Sequence, residues 1–240
     1  MIRTSKITVN LLFPFYHCSF APPEITDEAF NTNWLYDVAA RQWARWLPAE
    51  VSSTIRYGGY YTAVVQPGLR VISLNTNYCY TANWWTLSKS QDPASSLLWL
   101  NKVLEDAERA GEKVIDFIKF CQSMKLKFKV LISLCWKVHI LSHIPPGNQD
   151  CWTIFSREFS KIINRFESTV AAQFYGHTHK DEYKIFYDLV DRNRPTNVAF
   201  IGPSLTPFTE LNPGYRVYTI DGRRPGSTWV RSLLFLCSQI

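Results

Sequence analysis

Apolar residues recur along the chain at two spacings, one typical of helices and the other typical of strands. Three stretches have the helical spacing, which places their apolar residues on one face. The three sets are Trp34, Leu35, Val38, Ala39, Trp43, Trp46 and Leu47; Leu97, Leu100, Val103, Leu104, Ala107 and Ala110; and Phe155, Phe159, Ile162, Ile163 and Phe166. These faces are expected to form the core, and both Trp43 and Trp46 are predicted to lie in it.

Shorter apolar runs bounded by turn residues predict strands. Residues 58–65 and 69–75 flank the turn sequence Gln66-Pro67-Gly68 and therefore predict a hairpin. The later runs cover 138–143, 170–175, 183–188, 197–202 and 215–220. Strands that alternate with helices, followed by a strand-rich end, predict an α/β fold with the layers of a sandwich.

The second helix has sequence signals at both of its ends. Asp92 is a favoured N-cap residue, and Pro93 is favoured at the first helical position, so the helix is expected to begin there. Gly111 is expected to end it, because glycine readily takes the left-handed conformation found at helix C-termini.

Two of the predicted strands end in histidine motifs. The first runs into His143 and then into Ile144-Pro145-Pro146-Gly147, whereas the second runs into Gly176-His177-Thr178-His179. Two histidines one residue apart point to opposite faces on a strand, but on a turn both can converge. Neutral imidazole is a common zinc ligand. The motifs therefore predict a metal site, although His143 taken alone also fits a strand-end residue of the core.

Composition limits the class of protein. The chain has 240 residues, 46% hydrophobic and 15% aromatic, which is enough for one sizeable core. Its net charge of +6 and pI of about 9.0 favour an anionic substrate or an anionic membrane surface. The basic residues are scattered, and there is no nucleic-acid-binding motif. No apolar run reaches the roughly 18 residues that a membrane span needs.

An aromatic segment and the cysteines leave alternatives open. The segment after Asn75 contains Asn77, Tyr78, Tyr80, Trp84 and Trp85. These side chains could hold a choline group or a base, but packing is the favoured interpretation. The six cysteines contain no CxxC pair and no zinc-knuckle spacing, so they do not indicate a redox compartment.

The histidine motifs belong to a longer set of distinctive stretches. The others are Trp34-Leu35-Tyr36, Trp46-Leu47-Pro48-Ala49-Glu50, residues 68–75, Asp92-Pro93-Ala94, Trp99-Leu100 and residues 211–218. Together they resemble the acid sphingomyelinase family of calcineurin-like metallophosphoesterases, over residues 20–226. The resemblance implies an α/β fold that is the C-terminal half of a metallophosphoesterase β-sandwich flanked by helices.

The resemblance also implies a chemistry. It implies a hydrolase with two zinc ions that cleaves sphingomyelin into ceramide and phosphocholine through a metal-activated water. By position, His143 and His177 would bind one ion and His179 the other. The substrate would be a sphingolipid or another phosphodiester. The second possibility stays open because one branch of the family prefers nucleotides. A disulfide between Cys79 and Cys151 is implied as well, as is a secreted or lysosomal location, although the chain has no convincing signal peptide.

Four features depart from the family pattern. Residues 1–19 and 227–240 are interpreted as an unrelated lead segment and tail. Residues 115–138 interrupt the partial catalytic domain of 20–226, and an unspliced in-frame intron explains them, so they are expected to form a poorly packed excursion. The chain contains no Asp-x-His, Gly-Asp or Asn-His sequence, where the family has its other metal ligands. This chain alone is therefore expected to be inactive, or to be a non-catalytic fragment that binds a metal or a partner.

Overall fold

The computed structural model describes most of the chain between residues 20 and 236. The described residues are 20–66, 68–88, 91–123, 137–207, 210–220 and 230–236, with only the backbone described for 111–123 and 230–236. The predicted lead segment 1–19 lies outside them, as do 124–136 of the predicted interruption and 227–229 and 237–240 of the predicted tail. The foreign origin of these segments stays a prediction.

Four α-helices and eight strands make up the described chain. The helices are α1 (Asn33–Trp43), α2 (Ser52–Gly58), α3 (Ser96–Ser123) and α4 (Thr153–Arg165). The strands are β1 (Tyr61–Gln66), β2 (Leu69–Ser73), β3 (Lys137–Leu141), β4 (Val170–Tyr175), β5 (Glu182–Tyr187), β6 (Pro195–Ile201), β7 (Gly214–Ile220) and β8 (Val230–Leu236). All seven predicted strands are present, with ends within three residues of those predicted.

Six of these strands form one mixed sheet, in the order β1-β2-β3-β4-β6-β5. Strands β2, β3, β4 and β6 are parallel, whereas β1 and β5 pair antiparallel at the two edges. Helix α3 lies in the connection from β2 to β3, and α4 in the connection from β3 to β4, as parallel pairing requires. The carboxyl ends of the four parallel strands therefore meet along one edge of the sheet.

The main core lies between one face of this sheet and helices α3 and α4. The helices contribute Leu97, Leu100, Val103, Leu104, Ala107, Phe155, Phe159 and Ile163, all of them buried. The sheet contributes Ile72, Val138 and Ile140 from its central strands. The inward faces predicted for these two helices are confirmed for these residues, because a spacing of three and four residues keeps them on one side of each helix.

The opposite face of the sheet packs against β7. That face carries Val71, Leu141, Ala172 and Phe174. The ring of Tyr218 on β7 meets that of Phe174 edge-on, with centroids 4.7 Å apart. Because β7 pairs with β8 in a separate two-stranded sheet, the chain has helices on one side and a second layer of strands on the other. The predicted fold class is confirmed.

The first predicted helix is shorter than expected and buries a narrower face. Helix α1 ends at Trp43, and its buried residues are Tyr36, Ala39 and Ala40. The placement of Trp46 in the core is wrong, because this residue lies beyond the helix and is 71% exposed. The reason is helix α2, which the apolar spacing did not predict. Its residue Ile55 packs with Ala39 and Ala40 in a small cluster that does not include Trp46.

The second helix starts at the predicted residues, although as a 3₁₀ turn, and its predicted end is wrong. Pro93–Ser95 forms a 3₁₀ turn, so α3 begins at Ser96. Asp92 still caps it, because its carboxylate accepts hydrogen bonds from backbone N–H groups in the first turn of α3. The helix continues past Gly111 to Ser123, since an interior glycine costs only about 1 kcal/mol when helix-forming residues follow. None of the described helices is long and apolar enough to cross a membrane.

Candidate metal centre

Strands β3 and β4 bring the two histidine motifs together. They are parallel neighbours, and they end two residues before His143 and His177 respectively. The pairing continues into the turns, where the N–H of Gly176 donates to the carbonyl of His143 at 3.0 Å. Both motifs therefore lie at the carboxyl edge of the sheet, which is the usual ligand-binding edge of open α/β sheets.

The imidazole rings of His143 and His177 lie next to each other at this edge, in an edge-on arrangement. Their centroids are 5.3 Å apart and their planes are nearly perpendicular, at 84°. His177 and His179 both have positive φ angles, of 77° and 63°. Such backbone is uncommon outside glycine, costs about 1–3 kcal/mol per residue and is concentrated at functional sites. The folded structure therefore holds both histidines in a left-handed backbone conformation that residues other than glycine rarely adopt.

The surroundings of His143 and His179 favour the neutral form of their imidazoles. Burial, together with the proximity of His177 and His179, lowers the pKa of His143 to about 4. Burial and the proximity of His177 also lower the pKa of His179. A neutral imidazole keeps a lone pair that can bind a cation. His143 is thus in the ligand-competent form at neutral and mildly acidic pH.

The turn that follows His143 is held from two sides. Thr76, which is 2% exposed, accepts hydrogen bonds on Oγ1 from the N–H groups of Ile144 at 2.8 Å and His143 at 3.3 Å. From β5, the ammonium group of Lys184 donates to the carbonyl of Pro146 at 2.8 Å. These contacts satisfy backbone groups of the turn and fix its position relative to β2 and β5.

We expect valine at Thr76 to lower the free energy of unfolding by about 1–3 kcal/mol, because two backbone N–H groups lose their buried acceptor. Serine at Thr76 is the matched control. It keeps the hydroxyl group and loses one methyl, at a cost of about 0.8 kcal/mol. Urea unfolding followed by tryptophan fluorescence measures both variants. A valine variant as stable as the serine variant would show that the hydroxyl does not support the turn.

A disulfide links the segment after this turn to the segment after β2. Cys79 and Cys151 are bonded, with their Cα atoms 4.8 Å apart, in the pairing that the resemblance implied. Two backbone hydrogen bonds lie beside it. The N–H of Trp152 donates to the carbonyl of Cys79 at 2.7 Å, and the N–H of Thr81 donates to the carbonyl of Asp150 at 2.9 Å. The His143 turn is therefore tied to the segment that follows β2.

The structure adds one residue that the sequence analysis missed. Oδ2 of Asp150 lies 2.8 Å from Nε2 of His177. The side chain of His177 is 14% exposed and that of Asp150 is 41% exposed. The sequence offered a weak signal, because Asp150 directly precedes a cysteine of the implied disulfide. Nothing in the spacing placed it against His177.

The aromatic segment after β2 divides into buried, bordering and exposed residues. Tyr78 is buried, and its hydroxyl lies 3.0 Å from that of Tyr36, so packing explains this residue. Tyr80 meets the ring of His177 edge-on, with centroids 6.3 Å apart, and so borders the site. Trp84 is 76% exposed. The predicted packing role is confirmed for Tyr78 and is wrong for Trp84.

Zinc is the ion that the resemblance implies, and the described residues fit part of a zinc site. The pair His143–His177 supplies the imidazole donors that zinc prefers. Within the described part of the chain, however, no three His, Cys, Asp or Glu side chains come close enough together to hold a metal ion. The motifs in which the resemblance would place the other ligands do not occur in these 240 residues. The ligand assignment of His143, His177 and His179 stays a prediction.

The chain has a mixed sheet with helices on one face and strands on the other, and two histidine turns lie at the carboxyl edge of the sheet. This arrangement is consistent with half of a metallophosphoesterase domain. The chain is homologous over most of its length to sphingomyelin phosphodiesterases of the acid sphingomyelinase family. It is 44% identical to the sphingomyelin phosphodiesterase of Homo sapiens over 212 residues, which cover 88% of this chain and 29% of that relative. It thus spans less than a third of this relative's length.

Two further relatives show the range of the family. The chain is 39% identical over 197 residues to sphingomyelin phosphodiesterase 2 of Caenorhabditis elegans, covering 82% of this chain and 28% of the relative. It is 31% identical over 207 residues to a cyclic GMP-AMP phosphodiesterase of Homo sapiens, covering 80% of this chain and 40% of the relative. No family model matches the chain.

Proposed function

We propose that the chain is part of a zinc-dependent phosphodiesterase that cleaves sphingomyelin into ceramide and phosphocholine. One observation carries the proposal. His143 and His177 lie side by side at the carboxyl edge of the sheet, in a chain that is 44% identical to a sphingomyelin phosphodiesterase. His143 and His177 would bind one zinc ion and His179 the other. The remaining ligands would come from residues outside these 240.

When bound, a pair of zinc ions supplies an activated water and positive charge for the phosphoryl oxygens. This chain would contribute three imidazole ligands, which add no negative charge to the site. Because neutral ligands do not offset the charge of a cation, they leave it available to an anionic phosphodiester. Burial keeps His143 neutral, and the hydrogen bonds of Thr76 and Lys184 hold its turn in place.

A sphingolipid substrate suits other features of the chain. A net charge of +6 favours approach to a phosphodiester or to an anionic membrane surface. The Cys79–Cys151 disulfide fits a secreted or lysosomal protein, because disulfides persist in oxidising compartments.

Two alternatives have support of their own. The 31% identity to a cyclic GMP-AMP phosphodiesterase supports a nucleotide substrate. The lack of a three-ligand cluster among the described side chains supports a non-catalytic fragment that binds a metal or a partner. The three functions differ in what they predict once the missing ligand motifs are supplied.

A chimera tests the proposal by supplying those motifs. The matched segment of the human sphingomyelin phosphodiesterase is replaced by residues 20–226, with and without 115–138. We expect zinc-dependent hydrolysis of sphingomyelin to exceed that of cyclic GMP-AMP, and to be faster without 115–138. That segment runs from the last part of α3 to the first two residues of β3 and has no counterpart in the family pattern. Its removal places Lys113-Val114 where Lys137-Val138 now precede His139. A preference for cyclic GMP-AMP would support the nucleotide function. A folded chimera that hydrolyses neither would support the non-catalytic one.

A further inference from the structure

We propose that Asp150 is a positioning residue that fixes the tautomer and the orientation of His177. Its carboxylate holds the proton of the neutral ring on Nε2 and leaves the lone pair on Nδ1. The inference rests on the proposed function only for the use of that lone pair, which would bind the cation. The contact itself exists in the chain without any ion.

The chemistry of the two groups sets the direction of the hydrogen bond. Oδ2 of Asp150 lies 2.8 Å from Nε2 of His177, which is within hydrogen-bonding distance. An ionised carboxylate can only accept, whereas each nitrogen of a neutral imidazole either donates or accepts. Nε2 must therefore carry the proton. Metal-binding histidines commonly donate their second nitrogen to a carboxylate, which sets the tautomer and the ring orientation.

The His177 ring has little freedom to turn away from this contact. Tyr80 meets it edge-on at a centroid distance of 6.3 Å, and His143 lies at 5.3 Å with its ring nearly perpendicular. The side chain is 14% exposed, and the backbone φ of 77° sets its starting direction. The two neighbouring rings and the carboxylate together define one orientation.

The backbone of Asp150 is itself held in place, although 41% of the side chain is exposed. Its carbonyl accepts from the N–H of Thr81 at 2.9 Å, and its own N–H donates to Oδ1 of Asn148 at 2.9 Å. The next residue, Cys151, is fixed by the disulfide to Cys79. The segment that carries Asp150 is therefore fixed beside His177, whereas an acidic residue on an unconstrained surface loop would be free to move away.

The test is the position of the His177 proton in the metal-free full chain at pH 8. Long-range ¹H–¹⁵N NMR distinguishes the two neutral tautomers, and a His177→Gln spectrum assigns the signals. We expect the Nε2–H form to exceed the Nδ1–H form about tenfold or more, since hydrogen bonds to charged groups contribute about 1.5–3 kcal/mol. We also expect a protected Nε2–H proton signal.

Variants separate positioning from a merely structural contact. Asp150→Asn is expected to lower the tautomer ratio several-fold and to remove the protected proton, whereas Asp150→Glu should restore both. Asp191→Asn, at an exposed acid in the β5–β6 turn, should change neither. A dominant Nδ1–H form in the wild type would overturn the proposal even if a variant failed to fold, as would an unchanged ratio in Asp150→Asn. Because the readout needs neither zinc nor turnover, it is independent of the chimera's activity.

Discussion

Reduction of the Cys79–Cys151 disulfide is expected to lower the free energy of unfolding by about 4 kcal/mol. The bond joins cysteines separated by 72 positions in the sequence, and the chain-entropy model gives this loss for a loop of that size. The closed loop contains α3, β3 and the His143 turn. Without the bond, the unfolded chain gains conformations, and the turn is tied to the segment after β2 by hydrogen bonds alone.

Urea unfolding with and without reductant measures this loss in a chain whose other four cysteines are replaced by serine. The oxidised and reduced forms then differ in one bond. The matched control carries Cys79→Ser and Cys151→Ser as well, and it should unfold at the midpoint of the reduced form whether or not reductant is present. Equal midpoints for the oxidised and reduced forms would show that the disulfide does not stabilise the fold.

Much of the sheet could be predicted from the sequence because strand signals are local. The run 170–175 is apolar except for Gln173 and is followed by a glycine, and it matches β4 residue for residue. Helix limits were less predictable, since Pro93 can open an α-helix or a 3₁₀ turn and Gly111 can end a helix or lie inside one. The exposure of Trp46 depends on α2, whose apolar residues are too few to show a period.

The candidate site was also predictable from the sequence only in part. The pairing of His143 with His177 follows from two strand-end motifs, provided that the strands are parallel neighbours, as β3 and β4 are. The contact of Asp150 with His177 could not be predicted, because it depends on how the disulfide-closed loop folds against β4. The positive φ angles of the two turn histidines were also unexpected, since glycine is the residue that usually adopts them.

The missing ligands lead to a sharp expectation for the chain alone. The paired zinc site that the resemblance implies has carboxylate and amide ligands beside the imidazoles, and the described side chains do not gather into such a cluster. The purified chain should therefore hydrolyse sphingomyelin and bis(4-nitrophenyl) phosphate no faster than its own His143→Ala, His177→Ala variant. Zinc-dependent turnover that both replacements abolish would contradict this expectation.

The same two replacements should have a large effect in the chimera, where the upstream motifs are restored. Metal-ion catalysis contributes several kilocalories per mole to transition-state stabilisation, and each 1.36 kcal/mol is a tenfold change in rate. Loss of either His143 or His177 is therefore expected to lower kcat/KM for sphingomyelin about 10³-fold or more. Asp191→Asn, which lies away from the edge, should leave kcat/KM unchanged. Folded His143→Ala and His177→Ala chimeras with near-normal turnover would show that these residues are not ligands, whatever the identity to the family.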